Sequence, residues 1–208
     1  PALVYISQPT EYGTLYSLQE LEELSAVCRE RDLKLFVDGA RLAYALASPA
    51  NDVTLADLAR LTDVFYIGGT KCGSLFGEAV VIPERGSIRQ FVTQMKQHGA
   101  LLAKGRLLGV QFEALFEDGL YLTIGEPAVN ATARIREALK RAGYVVTMDS
   151  PTNLTFVALD QAGHERLSDK VRYSIWETLP DGRYLARIGT SWATPEEDVV
   201  AFEQALAR

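Results

Sequence analysis

Cysteine and histidine are nearly absent. The 208 residues hold two of each: Cys28, Cys72, His98 and His164. Two lone cysteines exclude a disulfide framework and make no metal or redox spacing, a usage that fits a reducing compartment. The histidines lie far apart with no carboxylate pattern beside them, so ordinary surface or capping roles are expected. No apolar run approaches the ~20 residues of a membrane span, and the opening residues carry no signal-peptide pattern. Positive charge is in deficit, with 21 Lys and Arg against 27 Asp and Glu, a net charge of −6. That balance argues against a nucleic-acid partner or an anionic membrane surface. What is present is a globular composition: 48% apolar, 23% charged, 16 Gly and 8 Pro. It excludes collagen-like and disordered chains.

The chain opens on an apolar strand pattern, Leu3 to Ser7, with no polar lead-in. Such a strand usually has flanking partners, so the sequence is expected to begin inside a larger protein. Ser17-Leu-Gln-Glu20 is a capping box followed by Leu18, Leu21, Leu24 and Cys28 on one helical face. Strands are expected at 33–37, 63–67 and 79–82, with a helix from Thr54 to Leu61. This alternation predicts βαβ units in a mostly parallel sheet with helices on both faces. Helical stripes follow at Ile88 to Met95, 100–117, and from Pro127 to Gly143. Strand patterns at 144–148, 154–159, 173–178 and 184–190, with helices near 162–171 and after Thr194-Pro195, predict a small α+β domain. The expected division is 1–119 and 120–208.

Asp38 stands at the end of Leu35-Phe36-Val37-Asp38, and Lys71 in the turn Gly68-Gly69-Thr70-Lys71-Cys72-Gly73. In open α/β sheets, ligands bind outside the carboxyl ends of strands. Taken alone, Asp38 has a helix cap as its plain alternative, and Lys71 a solvated turn lysine. The turn is not a phosphate-binding Walker loop, because Cys72 follows the lysine where Ser or Thr is required. Together, at the ends of successive strands and 33 residues apart, they match the needs of pyridoxal 5'-phosphate. A lysine attaches the aldehyde, and an aspartate keeps the pyridine nitrogen protonated.

These residues resemble a known family. Asp38-Gly-Ala-Arg41-Leu42 followed by Gly-Gly-Thr-Lys71 is similar to the threonine aldolase and aromatic β-eliminating lyase family of fold type I enzymes. Ile6-Ser7-Gln8-Pro9-Thr10-Glu11-Tyr12-Gly13-Thr14 resembles the segment before the aspartate strand in low-specificity threonine aldolases. Ala186-Arg187-Ile188-Gly189-Thr190-Ser191-Trp192 resembles the family strand whose arginine binds the substrate carboxylate. The motifs keep their order over the whole chain.

The resemblance implies a fold type I architecture: the C-terminal part of a large cofactor domain over 1–119 and a small domain over 120–208. It implies Lys71 as the Schiff-base lysine and Asp38 as the pyridine-nitrogen partner. Arg187 would bind the substrate carboxylate, with a salt-bridged strand arginine as the plain alternative. Arg41 would lie near the carboxylate or cofactor, and Thr70 near the cofactor. Lys104 falls where the family puts a basic residue near the phosphate, with Arg106 as its competitor. Cys72 reads as a packing residue. The family members are longer at the N-terminus, where the phosphate loop and a ring-stacking residue are found. The implied reaction is retro-aldol cleavage of an L-threonine-like β-hydroxy-α-amino acid to glycine and an aldehyde, with an unnamed base. β-Elimination, transamination or a non-catalytic oligomerisation or binding module are the alternatives. The implied partners are an amino-acid substrate and further copies of the chain, as a dimer or tetramer, in the cytoplasm, with no metal.

Overall fold

The structure is a computed structural model that describes residues 1–207. In chain order the elements are β1 (Leu3–Ser7), α1 (Leu18–Glu30), β2 (Lys34–Asp38), α2 (Leu42–Leu46), α3 (Leu55–Leu61), β3 (Val64–Gly68) and β4 (Glu78–Val81). They continue as α4 (Phe91–Gln97), α5 (Arg106–Phe116), α6 (Leu120–Thr123), α7 (Glu126–Arg141), β5 (Val145–Val146), β6 (Leu154–Leu159), α8 (Gln161–Ser168), β7 (Ser174–Thr178), β8 (Tyr184–Gly189) and α9 (Glu196–Ala207). The contacts gather into two units. One comprises Pro1–Gln8, Tyr16–Ala43 and Asp52–Thr123; the other comprises Pro9–Leu15, Tyr44–Asn51 and the chain from Ile124 onward.

The first unit is built on a sheet ordered β1-β2-β3-β4. β1, β2 and β3 run parallel, and β4 is antiparallel to β3. The chain between Gly68 and Glu78 is too short for the dozen-residue crossover that a parallel return needs, so β4 can only reverse. Strand alternation sorts β2 into two faces. Leu35 and Val37 point into the core and are 1% and 0% exposed. Phe36 and Asp38 point to the other face, level with Tyr5 and Ser7 of β1. Continuing the β2–β3 register brings Tyr66 level with Asp38. Tyr5, Phe36 and Tyr66 form an aromatic row there, Tyr5 stacked on Phe36 at 5.3 Å and Phe36 tilted on Tyr66 at 6.0 Å.

The capping box expected at Ser17 forms, and the start of α3 carries a second. Ser17 and Glu20 exchange hydrogen bonds at the start of α1, as do Thr54 and Asp57 at α3. Leu21, Ser25 and Cys28 of α1 are buried, and Ser25 Oγ donates to the Leu61 carbonyl at 2.7 Å. The helix expected over 100–117 begins only at Arg106. Gly99 at φ +72° and single turns closing on Leu102 and Lys104 occupy the residues before it. α4 buries none of its residues, although its sequence carries an apolar stripe.

The second unit is an antiparallel sheet ordered β5-β6-β8-β7. Val157, Leu159, Ala186 and Ile188 face a core shared with Ile135 and Leu139 of α7, Leu167 of α8, and Val199 and Leu206 of α9. Burying each of these valine, leucine and isoleucine side chains contributes about 1.5–3 kcal/mol. The opposite face carries Leu154, Phe156 and Leu185 under Tyr12, Met148, Trp176 and Leu179. Pro127 sits in the first turn of α7, as the sequence predicts. Asp160 caps α8 by accepting the Gly163 amide at 2.6 Å.

Candidate active site

Two glycines bring the ends of β2 and β3 together. Gly68 N donates to Gly39 O at 3.0 Å. A Cβ built on Gly39 would lie 1.9 Å from the Tyr66 carbonyl oxygen, and one on Gly68 would lie 2.5 Å from Gly39 O. Only residues without a side chain allow this approach of backbone to backbone. Each strand end carries a chemical group: Asp38, the last residue of β2, immediately before Gly39, and Lys71, three residues after Gly68. The two turns are close enough for the Lys71 charge to act on Asp38.

Asp38 is half-buried, and burial alone would raise its pKa. Hydrogen bonding from Tyr5 and Tyr66, the Ala40 amide at 2.9 Å and the Lys71 charge outweigh that cost and hold the carboxyl below its ordinary value. Tyr66 responds in the opposite sense. Burial, followed by its hydrogen bond to Asp38, raises its phenol, so it remains a donor. The Ala40 contact is a local side-chain turn of Asp38 itself. Asp38 therefore stays ionised at the end of its strand, available to a cationic group.

The Lys71 turn is fixed at Gly68 and Gly69. Gly69 O accepts the amides of Cys72 and Ser74, each at 3.0 Å. Gly68 O accepts the hydroxyl of fully buried Tyr121 at 2.8 Å. Glu78, the first residue of β4, accepts from Gly69 N at 2.8 Å and from Thr70 Oγ1 at 3.1 Å. Thr70 thus spends its hydroxyl proton on Glu78, while Lys71 is exposed above the turn. No sequence motif marks Glu78; its one local signal is a carboxylate at a strand start directly after Gly77, which sits at φ +86°. Cys72 is buried, with its thiol directed at Gly68 O and Gly69 O. Burial, with the Glu78 charge adding to it, pushes that thiol up to about 11, so it packs and is not a thiolate at neutral pH.

The other residues singled out by sequence are placed as follows. Arg41 is half-buried, three residues beyond Asp38 and just before α2. Lys104 is exposed in the turn preceding α5, and Arg106 is exposed as the first residue of that helix. Arg187 is half-buried on β8 of the second unit, and it takes part in none of the ion pairs among the described residues. Its guanidinium carbon lies 4.2 Å from the centroid of the Trp176 ring, so the salt-bridged alternative is not what the structure contains. His164 Nδ1 pairs with the Tyr173 hydroxyl at 2.7 Å, and His98 ends α4. Among the described residues, no three His, Cys, Asp or Glu side chains converge as a metal-binding group. Among them also, no helix is long and apolar enough to cross a membrane.

Known proteins are similar to this chain. A low specificity L-threonine aldolase of Pseudomonas sp. is 33% identical over 205 residues, covering 96% of this chain and 57% of that relative. The solved threonine aldolase of Leishmania major superposes with a TM-score of 0.94 at 46% identity, over 100% of this chain and 61% of that one. The chain thus spans about three-fifths of the length of these relatives. A Sphingomonas wittichii serine palmitoyltransferase superposes with a TM-score of 0.67 at 17% identity, over 99% of this chain and 55% of that one, which shows the shared fold alone. That fold is the fold type I architecture that the family resemblance implies. The pattern of the beta-eliminating lyase family matches residues 1–162, and the chain belongs to that family.

Proposed function

We propose that this chain is part of a pyridoxal 5'-phosphate-dependent lyase that cleaves an L-threonine-like amino acid to glycine and an aldehyde. The observation that carries the reading is Asp38, held ionised by Tyr5, Tyr66 and Ala40 beside the exposed Lys71. This donor set suits the cofactor. It offers one primary amine for an aldehyde and one ionised carboxylate for a protonated pyridine nitrogen, on turns that glycines lock together. The threonine aldolase relatives support the choice of reaction.

When bound, the cofactor supplies an electron sink for the pair released as Cα–Cβ breaks. The chain's residues do the rest. Lys71 would hold the cofactor through its primary amine. Asp38 would hold the ring nitrogen of the cofactor in its protonated form, and its lowered pKa keeps it an acceptor across the neutral range. Glu78 and Tyr121 hold the turn that carries Lys71. Arg187 receives the substrate carboxylate with two parallel N–H donors. Arg41 stands near the carboxylate or cofactor, Thr70 near the cofactor, and Lys104 or Arg106 near the phosphate.

We also read residues 1–119 as the C-terminal part of the cofactor-binding domain and 120–208 as the small domain of a cytoplasmic homo-oligomer, a dimer or tetramer. Incubating the full-length protein with pyridoxal 5'-phosphate and L-threonine tests the reaction. Glycine and acetaldehyde in equal amounts are expected. 2-Oxobutyrate and ammonia would replace the aldol reading with β-elimination.

A further inference from the structure

Arg187 lies on a strand whose alternation leaves it an unusual setting. Its pairing with Phe156 puts it on the same face of the sheet as Leu154, Phe156 and Leu185. A guanidinium among apolar groups needs a partner. Here the partner is an aromatic face. Trp176 lies at a register shift between Ile175 and Glu177, where β7 carries one residue more than β8. The extra residue brings the indole over the guanidinium carbon at 4.2 Å. Tyr12 and Phe156 meet the indole edge-on at 6.0 and 6.3 Å, with interplanar angles of 77° and 76°. The Tyr12 hydroxyl donates to Glu177 Oε1 at 3.1 Å, which ties the ring to the residue after the bulge.

We infer that Trp176 is a positioning residue for the substrate carboxylate: its indole face holds the Arg187 guanidinium while leaving the in-plane N–H donors open. This rests on the reading of Arg187 as the carboxylate-binding cation. The chemistry favours an aromatic partner over an acidic one. A carboxylate would neutralise the guanidinium and occupy the two donors that the substrate needs. A ring stabilises the cation through its face and consumes no donor. Tyr12 and Phe156 act through Trp176 by fixing the tilt of the indole.

The test uses the full-length, cofactor-loaded protein and the variants Trp176→Phe, Trp176→Leu and Arg187→Met. Leucine keeps bulk without a π-face, whereas phenylalanine keeps a face. Loss of the face is expected to raise KM for L-threonine about 5- to 20-fold in Trp176→Leu, with kcat within about twofold and Trp176→Phe much nearer wild type. A packing role alone would be served by leucine as well as by phenylalanine. Equal KM values in the wild type and both Trp176 variants would overturn the proposal. A second readout needs no turnover. Glycine, titrated into the wild type, should change tryptophan emission, and that change should vanish in Trp176→Phe. An unaltered change in Trp176→Phe would assign the signal elsewhere and overturn the proposal. Arg187→Met separates the two levels of the reading. If it raises KM steeply while Trp176→Leu does not, only the positioning role fails. If it leaves KM unchanged, the carboxylate reading of Arg187 fails and the proposal falls with it.

Discussion

Replacing Gly39 by alanine puts one methyl group where the structure holds a carbonyl. The new Cβ would sit 1.9 Å from Tyr66 O, about 1 Å inside the closest approach real side chains make. The obstacle is backbone in the middle of a sheet, so no rotamer change relieves it. The Tyr66 carbon at 3.1 Å and Leu42 Cβ at 3.3 Å crowd the remaining space. Gly39 is not among the residues at positive φ, so the cost is contact alone and not backbone strain. Overpacking a tight site costs about 1–3 kcal/mol, and a backbone clash belongs at or above the top of that range. With a denaturant slope of about 2–3 kcal/mol/M, the urea midpoint should fall by about 1 M or more. The control is Gly109→Ala in α5, where nothing lies within 4 Å of the new Cβ. There alanine should stabilise by about 0.5–1 kcal/mol through helix propensity. Urea unfolding followed by circular dichroism reads both. A Gly39→Ala midpoint equal to wild type would show that the β2 and β3 ends are not packed backbone to backbone, and the account of how Asp38 meets Lys71 would fail with it.

Further outcomes follow from the same geometry. The lowered Asp38 pKa means that its contribution to stability is fully present above the ordinary aspartate value of about 3.9 and is lost as pH falls through the lowered folded value. Tyr5→Phe removes a donor to the ionised form, so it should destabilise at pH 6 and converge on wild type at acid pH. A gap in urea midpoint that stayed constant with pH would contradict this. Glu78→Ala frees the Gly69 amide from a charged acceptor worth about 1.5–3 kcal/mol, so hydrogen exchange at that amide should quicken about 10- to 100-fold; unchanged protection would remove Glu78 from the turn's support. The Cys72 thiol, raised to about 11 and buried, should react with a thiol reagent at pH 8 no faster than the protein opens. A rapid stoichiometric burst in a Cys28→Ser background would contradict its packing role.

Local patterns made much of this legible before any coordinates. The capping boxes at Ser17 and Thr54, Pro127 near the start of α7 and the apolar runs of β2, β3 and β6 each name their element through short-range physics. Asp38 and Lys71 stood out because strand ends collect ligand-binding groups. What stayed hidden depends on partners distant in sequence. Tyr5 meets Asp38 only through the β1–β2 register, and Tyr121 reaches Gly68 from 53 residues away. Trp176 reaches Arg187 by way of a bulge, which no apolar alternation announces. The stripe from Ile88 to Met95 is amphipathic in sequence yet buries nothing over α4, because periodicity describes a face and not its neighbour.

The central claim is that Lys71 attaches the cofactor. The direct test is borohydride reduction of the full-length protein loaded with pyridoxal 5'-phosphate, followed by peptide mass mapping. The account predicts a single irreversible adduct on the peptide carrying Lys71, absent from Lys71→Ala. An adduct confined to another lysine, or a Lys71→Ala protein labelled to the same extent, would contradict it.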